Sequence, residues 1–316
     1  MKQKPLIILT GPTSVGKTAL SIAMAKSVNG EIISADSMQV YKGMDIGTAK
    51  VTMEEMAGVP HYLIDELKPD EEFNVVKFKQ LANKYMEKIY EKQKLPILVG
   101  GTGFYIQAVL YDIDFTENDS DHSYRTELEK HLEEHGSEYL YEMLKAIDPD
   151  SAVAIHPNNS KRVIRALEFA QQTGEKISEH NKEQRSRQSP YNFCYFVLNK
   201  DRSRLYETIN KRVDNMLADG LIDEVKKLKA IGYNRELVSM QGLGYKEVLA
   251  YLDGEYTLEE AIDILKRDTR HFAKRQLTWF NREKDVIWVD KDEFPGEKEL
   301  LEYLMEQLIH KNIVTS

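Results

Sequence analysis

The 316-residue chain carries 43 Lys and Arg against 52 Asp and Glu, a formal charge of −9, and 41% of its residues are hydrophobic. That length accommodates a large domain with a smaller one, and the acidic balance argues against bulk nucleic acid as partner unless positive charge is gathered locally. A single cysteine, Cys194, excludes a disulfide framework or cysteine-rich zinc site, and neither a secretory signal nor an 18-residue apolar span is present, so a soluble cytoplasmic protein is expected.

The apolar run Leu6-Ile7-Ile8-Leu9 reads as a strand, and it feeds Gly11–Thr18, GPTSVGKT. This fits G-x-x-x-x-G-K-[ST] at each required position, and Ala19–Lys26 follows with helical spacing. A turn between strand and helix start aims backbone N–H groups and the positive helix end at one point. Gly11, Pro12, Thr13, Ser14, Val15, Gly16, Lys17 and Thr18 are therefore the expected cradle for a di- or triphosphate. Lys17 adds a full charge, and the Thr18 hydroxyl is a candidate Mg²⁺ ligand. A chance glycine-rich turn is the alternative, which the flanking strand and helix disfavour.

Gly30–Ala35 reads as a second strand ending at Asp36-Ser37, and the region Phe73–Lys94 carries Val76, Phe78, Leu81, Tyr85 and Ile89 at helical spacing. Pro96–Val99 is a continuous apolar strand closed by Gly100-Gly101-Thr102-Gly103. Such alternation predicts an α/β fold, a P-loop NTPase-like core with a parallel sheet flanked by helices. Ligands gather at the carboxyl ends of such strands, which brings Gly11–Thr18, Asp36–Gln39 and Gly100–Gly103 to one crevice. After Asp114 the pattern becomes helical and charged. Asn118–Ser123 is a polar lead-in, Tyr124–His135, Glu138–Ile147 and Ser160–Thr173 are helical, and Glu183–Pro190 is a polar exit. Phe193–Leu198 restores a strand and Val286–Val289 adds a last one. The expected division is a discontinuous core, residues 1–114 and 191–316, with an all-helical insertion domain over 115–190.

A phosphate-loop kinase or ATPase needs an acid after an apolar strand to hold Mg²⁺, and none follows Ile97–Val99. Asp36 is the acid expected near the loop, as a metal ligand through water or a proton acceptor, with a helix N-cap as the plain alternative. The glycines around Thr102 suggest close backbone approach to a ligand, or else a simple strand-to-helix turn. Lys266, Arg267, Arg270, Lys274, Arg275 and Arg282 face only Asp268 in their stretch. On a helical wheel they lie opposite Leu265, Phe272, Gln276 and Trp279. A second cluster is Lys161, Arg162 and Arg165, and a third is Lys200, Arg202, Arg204, Lys211 and Arg212. Such segregation lets an acidic protein hold a polyanion, although a solvated helix face gives the same pattern. Three readings remain: a small-molecule kinase with a helical lid, a transferase with a diphosphate leaving group and an RNA acceptor, or a nucleotide-switch module.

Longer motifs separate these. Ser34–Lys50 (SADSMQVYKGMDIGTAK), Val59–Asp65 (VPHYLID), GGTG running into Phe104-Tyr105-Ile106, His156-Pro157, Arg162–Glu168 (RVIRALE), Gly244–Glu247 (GYKE) and Lys274–Trp279 (KRQLTW) are spread in order along the chain. With the phosphate loop they closely resemble the tRNA dimethylallyltransferases (tRNA isopentenyltransferases) of bacterial type, over residues 6–282. The resemblance implies transfer of a dimethylallyl group from dimethylallyl diphosphate to N6 of adenosine 37, in tRNAs reading codons that begin with U. The phosphate loop would hold the diphosphate, with Mg²⁺ on Thr18. Asp36 would be the general base, and Lys17, Arg212 and Thr102 would complete the catalytic group. The tRNA contacts implied are Asp36, Ser37, Met38, Gln39 and Thr102 around the target base, with Lys274, Arg275 and Gln276 from the core. Arg125, Lys161, Arg162 and Arg165 of the insert would grip the anticodon stem-loop. No membrane partner is implied, and a monomer is expected. Asn159 and Phe104 depart from the family pattern away from these roles, and Phe115–Tyr124 matches it poorly.

Overall fold

Leu6, Ile7, Ile8 and Leu9 have no exposed surface, and the sheet is assembled around them. A computed structural model of the chain describes residues 3–115 and 123–315, without the side chains of residues 185 and 186; the expected lead-in over residues 118–122 lies outside that range. The chain divides into two compact units, Met1–Leu110 with Pro190–Ser316, and Tyr111–Ser189. The division therefore falls four residues earlier than expected on the first side and one residue earlier on the second.

In the first unit, β1 (Lys4–Thr10) enters the phosphate loop and α1 (Lys17–Ser27) leaves it. β2 (Gly30–Ser34), α2 (Met53–Met56), the two-residue β3 (His61–Tyr62), α3 (Val75–Glu91), β4 (Leu95–Gly100) and α4 (Gly103–Leu110) follow. The second unit contributes α5 (Ser123–His135), α6 (Ser137–Ile147), α7 (Pro149–Ala154), α8 (Ser160–Thr173) and α9 (Ile177–Ser186). The first unit then resumes with β5 (Tyr191–Asn199), α10 (Arg202–Ala218), α11 (Leu221–Ala230), α12 (Tyr245–Leu252), α13 (Leu258–Phe280), β6 (Val286–Asp290) and α14 (Glu297–His310). The six strands are parallel, in the order β3-β2-β4-β1-β5-β6. Helices cover both faces of such a sheet, and this is why β1 and β4 carry unbroken apolar runs without alternation.

Among the elements that escaped the sequence reading, three did so for clear local reasons. β3 is too short to show a period. α7 is a single turn and more, started by the Asp148 side chain, which accepts from Ser151 N at 3.1 Å, with Pro149 in its first turn. α9 reads ISEHNKEQRS, with no buried stripe to betray it, and it occupies Glu183–Ser186 of the expected polar exit. The helical unit has its own core of Leu128, Leu140, Leu144, Val163, Ile164 and Leu167. Asp148 ties its last helix in, accepting from Ser178 N at 3.0 Å and Ser178 Oγ at 2.6 Å.

At the amino ends of the strands, Glu31 is buried under Lys92, Lys94 and Tyr62, whose polar atoms lie 2.8, 2.9 and 2.7 Å from its carboxylate. Burial alone would raise its pKa. The hydrogen bonds from Lys92, Tyr62 and Lys94 outweigh that and hold it at about 2.

Candidate active site

Because β2, β4 and β1 are neighbours, their carboxyl ends deliver Asp36, Gly100–Gly103 and Gly11–Thr18 to one place. Two cavities adjoin there. The smaller, about 220 Å³, is lined by Ser14, Lys17, Thr18 and Gln39 among others, and the larger, about 350 Å³, by Ser37, Met38, Thr102 and Arg275 among others. Thr13, Asp36, Arg212 and Phe272 line both. Lys17, Asp36, Thr102 and Arg212, drawn from distant parts of the chain, are thus brought together.

The smaller cavity is built for an anion. Lys17 Nζ donates to Gly11 O at 3.0 Å and Pro12 O at 2.8 Å, which curls the loop around it. Burial, then the charge of Arg212, lower the Lys17 pKa to about 7, with Asp36 opposing. Arg212, on α10, is likewise lowered by burial and raised by Asp36, and its Nη2 reaches Thr48 O at 3.4 Å. Two cations against one carboxylate leave a net positive pocket at the start of α1. Ser14 Oγ is shielded from solvent and has no hydrogen-bond partner among the described residues, so a phosphate oxygen would satisfy it. Thr18 lines the same cavity beside Asp36, and a hydroxyl with a nearby carboxylate is an oxygen set that suits Mg²⁺.

Asp36 is not a helix N-cap, because no helix follows it. Its Oδ1 accepts from Met38 N at 2.8 Å and Gln39 N at 3.3 Å, an Asx turn that fixes the carboxyl plane. Its Oδ2 accepts no hydrogen bond among the described residues. Gln39 is engaged within its own loop, with Oε1 accepting from Ser34 Oγ at 3.2 Å and Nε2 reaching Ala49 O at 3.3 Å.

The glycines around Thr102 approach protein. A Cβ on Gly100 would sit 2.2 Å from Ala35 O, on Gly101 2.1 Å from Gln276 Nε2, and on Gly103 2.2 Å from Trp279 Cδ1. They let β2 and α13 close on the turn, and Thr102 lines the larger cavity. Gln276 is the strut of this arrangement. It accepts from Thr13 N at 2.9 Å and donates to Gly101 O at 2.9 Å, joining the phosphate loop to the turn. Buried and doubly bonded, it departs from the expected RNA contact.

The basic clusters are less free than their sequence suggests. Lys266 pairs with Asp214 at 2.6 Å, Arg267 with Asp268 at 3.0 Å, and Arg270 Nη1 donates to Asn210 Oδ1 at 2.8 Å. Lys274, Arg275 and Arg282 are exposed and have no ion pair among the described residues. Phe272 and Trp279 are half-buried beside the buried stripe Leu265, Thr269, Ala273, Gln276, Phe280, and Arg275 lies 5.8 Å over the Phe272 ring. Arg204 is held by Asp292 at 2.9 Å, and Lys200 Nζ donates to Thr208 Oγ1 at 2.7 Å. In the helical unit, Arg125 lies between Glu129 at 3.3 Å and Glu168 at 3.6 Å, a helix-to-helix tie. Lys161 and Arg162 are exposed at the start of α8, and Arg165 is half-buried one turn on.

Two contributors had no signal in the sequence. Glu224, on α11, accepts from Asp45 N, Ile46 N and Gly47 N at 3.0, 2.8 and 3.1 Å, and from Tyr245 Oη at 2.6 Å. It pins the loop whose Thr48 carbonyl receives Arg212. Lys291, just past β6, brings its ammonium 2.7 Å from where a Gly16 Cβ would lie, a further cation at the rim of the phosphate loop. No spacing rule links partners so far apart in sequence.

Comparison with known proteins agrees with this geometry. A sequence model of the family described as IPP transferase matches residues 39–283. A tRNA dimethylallyltransferase of Lachnoclostridium phytofermentans is 63% identical over 98% of this chain and 99% of its own, and one from Clostridioides difficile is 53% identical over 95% and 96%. Among solved structures, the tRNA isopentenylpyrophosphate transferase of Bacillus halodurans aligns with a TM-score of 0.72 at 47% identity, covering 98% of each chain. A eukaryotic dimethylallyltransferase captured acting on tRNA aligns with a TM-score of 0.84 at 31% identity, over 98% of this chain and 80% of that one. A parallel sheet with helices on both faces, a phosphate loop beside a half-buried aspartate, and identity of this extent along the whole chain lead to one assignment: the chain belongs to the IPP transferase family.

Proposed function

We propose that the protein transfers a dimethylallyl group from dimethylallyl diphosphate to N6 of adenosine 37 in tRNAs reading codons that start with U. The observation that carries this reading is Asp36, which lines both cavities with one carboxylate oxygen held and the other open. The diphosphate occupies the smaller cavity, bound by Lys17, Arg212, the Ser14 hydroxyl and the first amides of α1. The target base, taken out of its stack, enters the larger one beside Met38 and Thr102. The amine nitrogen attacks the allylic carbon, the C–N bond forms as the C–O bond breaks, and the electron pair leaves with the diphosphate. Asp36 Oδ2 takes the N6 proton. Lys17 and Arg212 stabilise charge that grows on the leaving oxygen. Thr18 would hold Mg²⁺, which when bound neutralises diphosphate oxygens. Lys274 and Arg275, with Lys161, Arg162 and Arg165 of the helical unit, supply cations for the anticodon stem-loop phosphates. In this reading the protein works in the cytoplasm, as a monomer.

The test is incubation with unmodified tRNA and radiolabelled dimethylallyl diphosphate, beside ATP with small alcohols. Label at adenosine 37 with release of diphosphate is the expected result. Phosphorylation of an alcohol with no label in the tRNA would overturn the reading in favour of a kinase with a helical lid. No helix among the described residues is long and apolar enough to cross a membrane.

A further inference from the structure

Outside the two cavities, one cluster of donors has no part in the reaction above. α5 ends in His131-Leu132-Glu133-Glu134-His135, which puts the two imidazoles one helical turn apart with Glu134 beside them. A donor atom from each of His131, Glu134 and His135 lies within 4.8 Å of the others. Tyr139, in the first turn of α6, stands against both rings, with centroids at 5.6 and 4.8 Å, and the rings are 5.8 Å apart. Packing of this kind limits ring rotamers before any ligand arrives.

The existing partners are loose. His131 Nε2 is 3.7 Å from Glu127 and His135 Nε2 is 3.9 Å from Glu134, both beyond hydrogen-bond length. His131 Nδ1 is shielded from solvent and has no partner among the described residues. A buried ring nitrogen left unsatisfied points to a ligand.

We propose that His131, Glu134 and His135 form a binding site for one borderline divalent transition-metal ion such as Zn²⁺. Two imidazoles and a carboxylate select Zn²⁺, Ni²⁺, Co²⁺ or Cu²⁺ over the hard ions Mg²⁺ and Ca²⁺. Metal–nitrogen bonds of about 2.0–2.1 Å hold tetrahedral donors roughly 3.3 Å apart, so the present spread closes with small side-chain rotations. His135 is the last residue of α5, where a cation also meets the negative end of the helix dipole. Three protein donors leave the remaining position to water. The ion crosslinks the final turn of α5 and, through the rings packed on Tyr139, stiffens the junction at Gly136. This site is separate from the oxygen set at Thr18 and takes a different class of ion.

The experiment uses the full chain, freed of any affinity tag and stripped with chelator, and titrated with Zn²⁺ by calorimetry at pH 7.5. One ion per chain with a Kd below about 100 μM at pH 7.5 is expected. H131Q and H135Q should each weaken binding about tenfold or more, and the double variant should abolish it. Both side chains are partly exposed, and circular dichroism checks that the variants fold. In the unaltered protein, Co²⁺ should broaden the ring resonances of these two histidines ahead of the other six. Failure to bind one equivalent, binding unchanged in the double variant, or broadening of other histidines first would each overturn the proposal.

Discussion

Asp36 owes its usefulness to a division between its two oxygens. Oδ1 is tied by Met38 N and Gln39 N, so the carboxyl cannot rotate away, and Oδ2 is left open, as the proposed base requires. Asp36→Asn keeps the turn and removes the base. Transfer should fall about 10²–10⁴-fold with tRNA affinity unchanged, read by single-turnover labelling. A different signature belongs to Lys17, whose pKa is lowered to about 7 before an anion binds. A bound diphosphate favours the charged amine, so binding takes up a proton wherever the free protein has lost it. Affinity is therefore full below pH 7 and declines above it. KM for the diphosphate substrate should rise from pH 7 to 9 by up to about tenfold per unit, and a flat profile would place the charge elsewhere. Sequence alone marked Lys17 through the phosphate-loop pattern. Asp36 came from its strand end and Arg212 from family likeness, since no rule of spacing joins Arg212 to Lys17 across the chain.

At the scale of elements, α13 has two jobs separated by its own period. Its buried side carries Gln276, and the exposed flank beside it carries Lys274 and Arg275. Gln276→Ala would strand Thr13 N and Gly101 O, costing about 1–3 kcal/mol of stability and raising KM for the diphosphate. Thermal melts and initial rates check both. Replacing Lys274 and Arg275 by Ala should instead leave stability alone and weaken tRNA binding. The slope of log affinity against log salt should flatten by about one for each phosphate the variant no longer neutralises. The wheel placed the cations correctly as a set and missed which were engaged by Asp214, Asp268 and Asn210. Those partners lie mostly on another helix, invisible to a one-helix reading. It put Gln276 on the core side, as the structure does, whereas the family resemblance had grouped Gln276 with Lys274 and Arg275 as an RNA contact. The glycines of the GGTG turn were legible as points of close approach, and only the structure reveals what approaches.

Across the whole molecule, the elements and a parallel sheet were readable wherever apolar runs alternated with helical ones, and β3 and α9, which bury too little to leave a pattern, were not. The far end of the sheet is held by Glu31 with Lys92, Lys94 and Tyr62. Its folded pKa of about 2 lies below the usual 4.5, so the cluster stabilises fully above pH 4.5 and loses its contribution as pH falls toward 2. Glu31→Ala should cost about 1–3 kcal/mol at neutral pH, because it removes the one carboxylate that the partly exposed Lys92 and Lys94 share. The gap between the variant and the parent in urea midpoint should narrow below pH 4.5.

Strand β1 pairs on one side with β5, Lys4–Thr10 against Tyr191–Val197, with the helical unit and half the sheet between them in sequence. A ribosome therefore releases β1 long before its second neighbour exists. At about 5–20 residues per second, roughly 10–40 s pass with one edge of that strand unpaired. An exposed edge of this kind is a template for pairing with another nascent chain. The helical unit, with its own core, is made within that interval, so β1 is closed on its second side only after a whole separate unit has been synthesised.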